Sequence, residues 1–97
     1  MGAHHTLRAT EGGDPELLLR DRCSGEPRRW SDAPGDAYGA HQHPFHKVLY
    51  CERGSITFHT DDGDIVLHAG DRLDLEPHTV HWATVGADGV TCIEAAR

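Results

Sequence analysis

From Glu26 to the end of the chain a Gly, Pro or Asp interrupts the hydrophobic pattern at nearly every break, so the apolar stretches are short. This punctuation predicts strands near Arg28 to Ser31, Ala37 to His41, Lys47 to Arg53, Ser55 to Thr60, Asp64 to His68, Arg72 to Leu75, His81 to Val85 and Val90 to Glu94. Asp61-Asp62-Gly63 and Ala87-Asp88-Gly89 have the chemistry of hairpin turns. Eight short strands imply an all-β fold, either a double-sheet jelly roll or a small closed barrel. Alternation assigns the faces: Ile56 and Phe58 point inward against Ser55, Thr57 and His59, and Leu73 and Leu75 oppose Arg72 and Asp74.

Before this all-β region, residues 1–13 read as a loose arm with a short edge strand around Thr6 to Ala9, and residues 14–97 as a single domain. Asp14, Pro15 and Glu16 make a good helix start, since Asp caps, Pro suits the first helical position and Glu favours the positive helix end. A helix from Pro15 to about Arg22 is expected. The strand at Lys47 to Cys51 breaks alternation, because both of its faces carry apolar residues. Either the N-terminal arm covers its outer face or a second subunit does, and a homodimer is the expectation.

With 97 residues the chain hides only roughly 60–65% of its unfolded surface on folding, so the core is thin. A net charge of −7 repels phosphate backbones and anionic membranes, which argues against nucleic-acid or membrane partners. Arg28-Arg29-Trp30 therefore reads as a strand beside solvent rather than a stacking patch for bases. No basic segment followed by an apolar one marks a signal peptide, and Cys23, Cys51 and Cys92 are far apart with no C-x-x-C pair. A cytoplasmic location is expected, with the cysteines serving as small apolar residues.

Nine histidines make position the important question. His41 and His43 are two apart, so on an extended strand both imidazoles share a face and can converge on one ion. The pair needs a third histidine from a later strand. Lys47, four beyond His43, has the parity to return to the same interior.

These residues carry a resemblance to the cupin superfamily. Gly35, His41-Gln42-His43, Lys47 and Gly54 stand at the intervals of its first motif, with Lys in place of the usual Glu. Gly70, Glu76-Pro77-His78 and His81 hold the spacing of its second motif, where Glu76 and His78 depart from Pro and Gly. The resemblance implies a cupin double-stranded β-helix, here with a short N-terminal helix, that is usually dimeric. It also implies a divalent transition metal held by His41, His43 and His81: zinc or iron, with manganese or nickel as further options. Lys47 then replaces the fourth ligand, and a lysine cation repels a dication where Glu would bind it.

The implied chemistry is that of a metalloenzyme on a small anion in the cavity, either a dioxygenase or a zinc-dependent isomerase or lyase. Lys47 is the catalytic candidate, as proton shuttle or anion clamp. The alternative is a sensory or non-catalytic barrel that binds a small molecule. His46 reaches the site only if a bulge swings it inward, whereas His59 and His68 face solvent. His78 belongs near the mouth or on a surface loop, and His4 and His5 in solvent. Tyr38, Phe45, Arg72 and Trp82 are rim candidates, Tyr38 only if a bulge corrects its parity.

Overall fold

The computed structural model describes residues 2–10 and 13–97. Its strands are β1 (Ala3–Thr6), β2 (Arg28–Asp32), β3 (Ala37–His41), β4 (Lys47–Thr60), β5 (Gly63–His68), β6 (Arg72–Leu75) and β7 (His81–Ala96), with helix α1 (Pro15–Arg22) between the first two. All pairings are antiparallel. Two long strands carry the architecture, because β4 and β7 pair along almost their whole length and each serves two sheets. Their Lys47 and Ala96 ends lie in a row β1-β6-β4-β7-β2, while their other halves carry β5 beside β4 and β3 beside β7. The result is the expected double-sheet jelly roll.

Four predicted strands are thus two continuous ones. Gly54 was expected to break a strand, but it sits inside β4 with a positive φ of 75°, and the register to β7 shifts on either side of it. A Cβ at Gly54 would collide with the Gly89 carbonyl, so the two strands cross more closely than any other residue permits. Ala87-Asp88-Gly89 is likewise a bulge within β7, not a hairpin turn: Gly54 pairs with Val90 and Ile56 with Val85, so β7 carries the excess residues.

Between the sheets lies a core of Leu49, Cys51, Ile56, Phe58, Leu67, Leu73, Leu75, Ala83, Val85, Val90 and Cys92, which bears out the predicted inward faces. Cys51 and Cys92 are apolar filling there, as expected, but they also stand directly opposite each other on β4 and β7.

The doubly apolar strand finds its cover within the chain. Val48 and Tyr50 pack with Ile93 and Ala95 against Leu19 of α1, with Leu18, Ala9 and Cys23 at the edge. Leu19 is wholly buried, worth about 1.5–3 kcal/mol by area. That face therefore gives no argument for a second subunit. The helix runs where the sequence placed it. Asp14 accepts from the Glu16 N–H at 2.8 Å, and Arg20 and Arg22 sit at the negative end.

The first residues form their strand at Ala3–Thr6, earlier than the expected Thr6 to Ala9, and pair with β6. His4 and His5 are exposed, as expected, but each is held by an acid, Glu76 at 2.6 Å and Asp71 at 3.0 Å. Among the described residues no helix is long and apolar enough to cross a membrane.

Candidate metal centre

β3 and β7 bring the histidines together. His41 ends β3 and His81 begins β7, and the two stand opposite each other in register. His43 follows in the loop after β3, and its backbone carbonyl accepts from the His78 N–H at 2.7 Å, which ties the two motif loops to each other. His78 adopts φ +63°, the left-handed conformation that explains why glycine is usual at this motif position; it carries modest strain and its side chain is exposed.

The ring centroids lie 4.2 Å apart for His41 and His81, 5.1 Å for His41 and His43, and 5.4 Å for His43 and His81. One ligand atom from each falls within 4.8 Å of the others. A tetrahedral zinc needs nitrogens about 3.4 Å apart, so closure on an ion takes side-chain rotations of about an ångström.

Hydrogen bonding prepares two of the three donors. His41 donates its Nδ1–H to the Gly39 carbonyl at 2.7 Å, and His81 donates its Nδ1–H to the Thr79 carbonyl at 2.8 Å. A carbonyl only accepts, so each neutral ring must leave its Nε2 lone pair free, as a metal ligand requires. Burial pushes the His81 pKa down, with help from His41 and Lys47, and burial followed by the Lys47 charge does the same to His43. Both shifts keep the rings neutral and able to ligate.

The third donor is engaged. Lys47 reaches the interior, as its parity predicted, and donates from Nζ to His43 Nε2 at 3.2 Å. The same ammonium pairs with Glu94 Oε2 at 2.9 Å, and Glu94 Oε1 accepts from Trp30 Nε1 at 2.8 Å. The donor set fits a divalent transition metal once Lys47 releases His43.

Beside the histidines opens a cavity of about 270 Å³, whose wall is formed by Arg28, Trp30, Tyr38, His41, Lys47, Glu94 and His81 and whose floor is Leu49, Ile56, Phe58, Leu75 and Ala83. Glu94, Arg28 and Trp30 were not recognised as site residues from the sequence. Glu94 was legible, being two residues from inward-facing Cys92 on the same strand. Arg28 and Trp30 needed the β2–β7 pairing, which no local signal announces.

Tyr38 reaches the wall because the register does shift between it and His41, and its ring meets Trp30 edge-on at 5.8 Å. Phe45 lies against His43 at 5.1 Å between ring centres. Arg72 is held by Asp74 at 2.7 Å, and Trp82 stacks on His59 at 5.7 Å, so neither lines the cavity. His46 bonds Asp74 at 3.0 Å and is no fourth ligand. His59 bonds Asp64 and Thr84, and His68 is exposed, both apart from the cage.

The family model for the AraC-like ligand binding domain matches residues 28–91. Among solved structures, a RmlC-like cupin from Shewanella frigidimarina is 25% identical over 73% of this chain and 63% of its own, with a TM-score of 0.66. A cupin superfamily protein from Desulfitobacterium hafniense is 17% identical over 77% and 69%, with a TM-score of 0.68. KdgF from Halomonas sp. is 23% identical over 73% and 67%, with a TM-score of 0.60. The last two establish likeness of fold alone. The matched part spans 63% and 64% of the Shewanella structure and of a double-stranded β-helix protein from Klebsiella pneumoniae, less than two thirds of each. No protein of curated function matches the sequence.

Proposed function

The chain belongs to the AraC-like ligand-binding domain family, and from that premise we propose that it holds a divalent transition metal on His41, His43 and His81 and a small organic anion in the adjoining cavity. The observation that carries this reading is the pair of anchored imidazoles, whose Nδ1–H groups are committed to backbone and whose Nε2 lone pairs are thereby presented. Bound there, the metal supplies a Lewis-acidic position open to an oxygen donor of the ligand.

The chain's own residues do the rest. The floor takes the apolar part of the ligand, and Trp30 and Tyr38 wall it. Of the two cations lining the cavity, Lys47 is already neutralised by Glu94, whereas Arg28 has no carboxylate partner among the described residues. Arg28 is thus the cation available to the anion, a role expected of Lys47. At about 270 Å³ the cavity lies at the small end of ligand sites, which suits a small acid. Lys47 stands between Glu94 and His43, where it can pass a proton to the ligand.

A second reading, ligand binding with no metal, is favoured by the Lys47 hydrogen bond to His43. Metal titration of single variants decides between them. Replacing His41, His43 or His81 with Ala abolishes tight zinc binding, while His59→Ala and His68→Ala leave it intact. Equal losses across all five, or no tight binding by the unmutated protein, would favour the second reading.

A further inference from the structure

Cys51 and Cys92 lie 41 positions apart in the chain yet face each other across the two central strands, in register between the sheets. The backbone fixes which kind of pair they make. The Cys51 N–H donates to the Asp71 carbonyl at 3.0 Å, and the Cys51 carbonyl accepts from the Gly70 N–H at 2.8 Å. Both bonds point away from β7. Cys51 and Cys92 are therefore a non-hydrogen-bonded antiparallel pair, the kind in which Cα atoms approach to about 4.5 Å and side chains lie closest. Disulfides span Cα separations of about 4.4–6.8 Å, so this pair falls within reach at the short end. Both residues are wholly buried in the same cluster. Cys51 Sγ also lies 3.5 Å from the Arg53 carbonyl, at the bulge where β4 bends.

We propose that Cys51 and Cys92 are an oxidisable dithiol, a covalent modification site at which an intramolecular disulfide joins β4 to β7 beneath the cavity. The oxidant is a small disulfide such as glutathione disulfide. One cysteine thiolate attacks it to form a mixed disulfide and releases one glutathione thiolate. The second cysteine thiolate then attacks the protein sulfur, the protein disulfide forms, and a second glutathione thiolate leaves. The two cysteine protons end on the two glutathiones, and the protein has lost two electrons. Because both thiols are buried, the reaction proceeds during folding or through opening of the strand pair.

The position gives the bond a consequence. The neighbouring inward pair on the same strands is Leu49 and Glu94, which line the cavity, and Trp30 stands opposite Cys92 on β2. The disulfide fixes the strand pair from which Glu94 and Lys47 enter the site, and it places a quencher beside the Trp30 indole. Cys23 packs in the outer cluster under α1 and provides the control.

The test is to refold the chain in a glutathione redox buffer, block free thiols with N-ethylmaleimide, and map peptides by mass without reduction. The dominant product will be a linked Cys51–Cys92 pair, lighter by two hydrogens, with Cys23 alkylated and tryptophan emission reduced. Closing a loop of roughly 40 residues will raise Tm by about 10 °C or more. Cys23→Ser will keep the link and Cys92→Ser will abolish it. Treating the already folded protein with diamide covers a failure to refold and will give the same linkage. Full alkylation of both Cys51 and Cys92 after either treatment, or linkage only through Cys23, would overturn the proposal.

Discussion

Lys47 is the residue on which the chemistry of the site turns. Its stem passes through the interior and its ammonium spans His43 and Glu94, so it occupies a lone pair that an ion needs while its charge repels that ion. Glu94 offsets the repulsion, which resolves at the level of one carboxylate the conflict posed by a lysine in a glutamate position. Removing the ammonium and keeping the stem, as in Lys47→Met, should free His43 and tighten zinc binding by roughly 10- to 100-fold, the worth of one charged hydrogen bond. Competition titration with a chelating dye measures this; an unchanged affinity would show that the lysine and the metal do not compete. The role of Lys47 was legible because parity alone puts it inside. The inward face of Glu94 could be read from its two-residue spacing to Cys92, but its pairing with Lys47 could not, because that partner lies 47 positions earlier in the chain.

At the scale of elements, what could be read locally came out as expected: the α1 cap, the alternation of Ile56 with Phe58, the hairpin at Asp61 to Gly63. The differences arise where distant segments dictate the backbone. Gly54 looks like a turn, but it is the point where two long strands cross, and the Tyr38 face changes because β3 slips against β7. The N-terminal strand is held by a buried acid that sequence gives no reason to notice. Asp71 Oδ2 accepts from the His68 N–H and pairs with the His5 ring, and its Oδ1 accepts from the Arg8 N–H. Burial pushes its carboxyl up, but these donors together outweigh burial and hold it below the ordinary 3.8. A carboxylate whose folded pKa is depressed stabilises the fold above the unfolded value, and that contribution is lost as pH falls through the folded pKa. Asp71→Asn should therefore cost about 1–3 kcal/mol at neutral pH, and the difference from the unmutated protein should shrink below about pH 4. Urea unfolding across that range checks it, and a difference independent of pH would contradict the latch.

On the scale of the whole molecule, the candidate centre exists only because of the topology. His41 and His43 come from the end of β3 and its loop, His81 from the start of β7, and the sheet shared by those strands brings them into one cage. The motif intervals disclosed this because the two loops are tied by a backbone hydrogen bond between His43 and His78, a constraint that spacing reflects. The cavity beside the cage was less legible, since its wall draws on β2, β3, β4 and β7 at once. X-ray absorption at the zinc edge of the reconstituted protein tests the central claim most directly. The account predicts three imidazole nitrogens at about 2.0–2.1 Å with the remaining position filled by a light atom. A sulfur scatterer at about 2.3 Å, or a shell of water oxygens without imidazole, would contradict it.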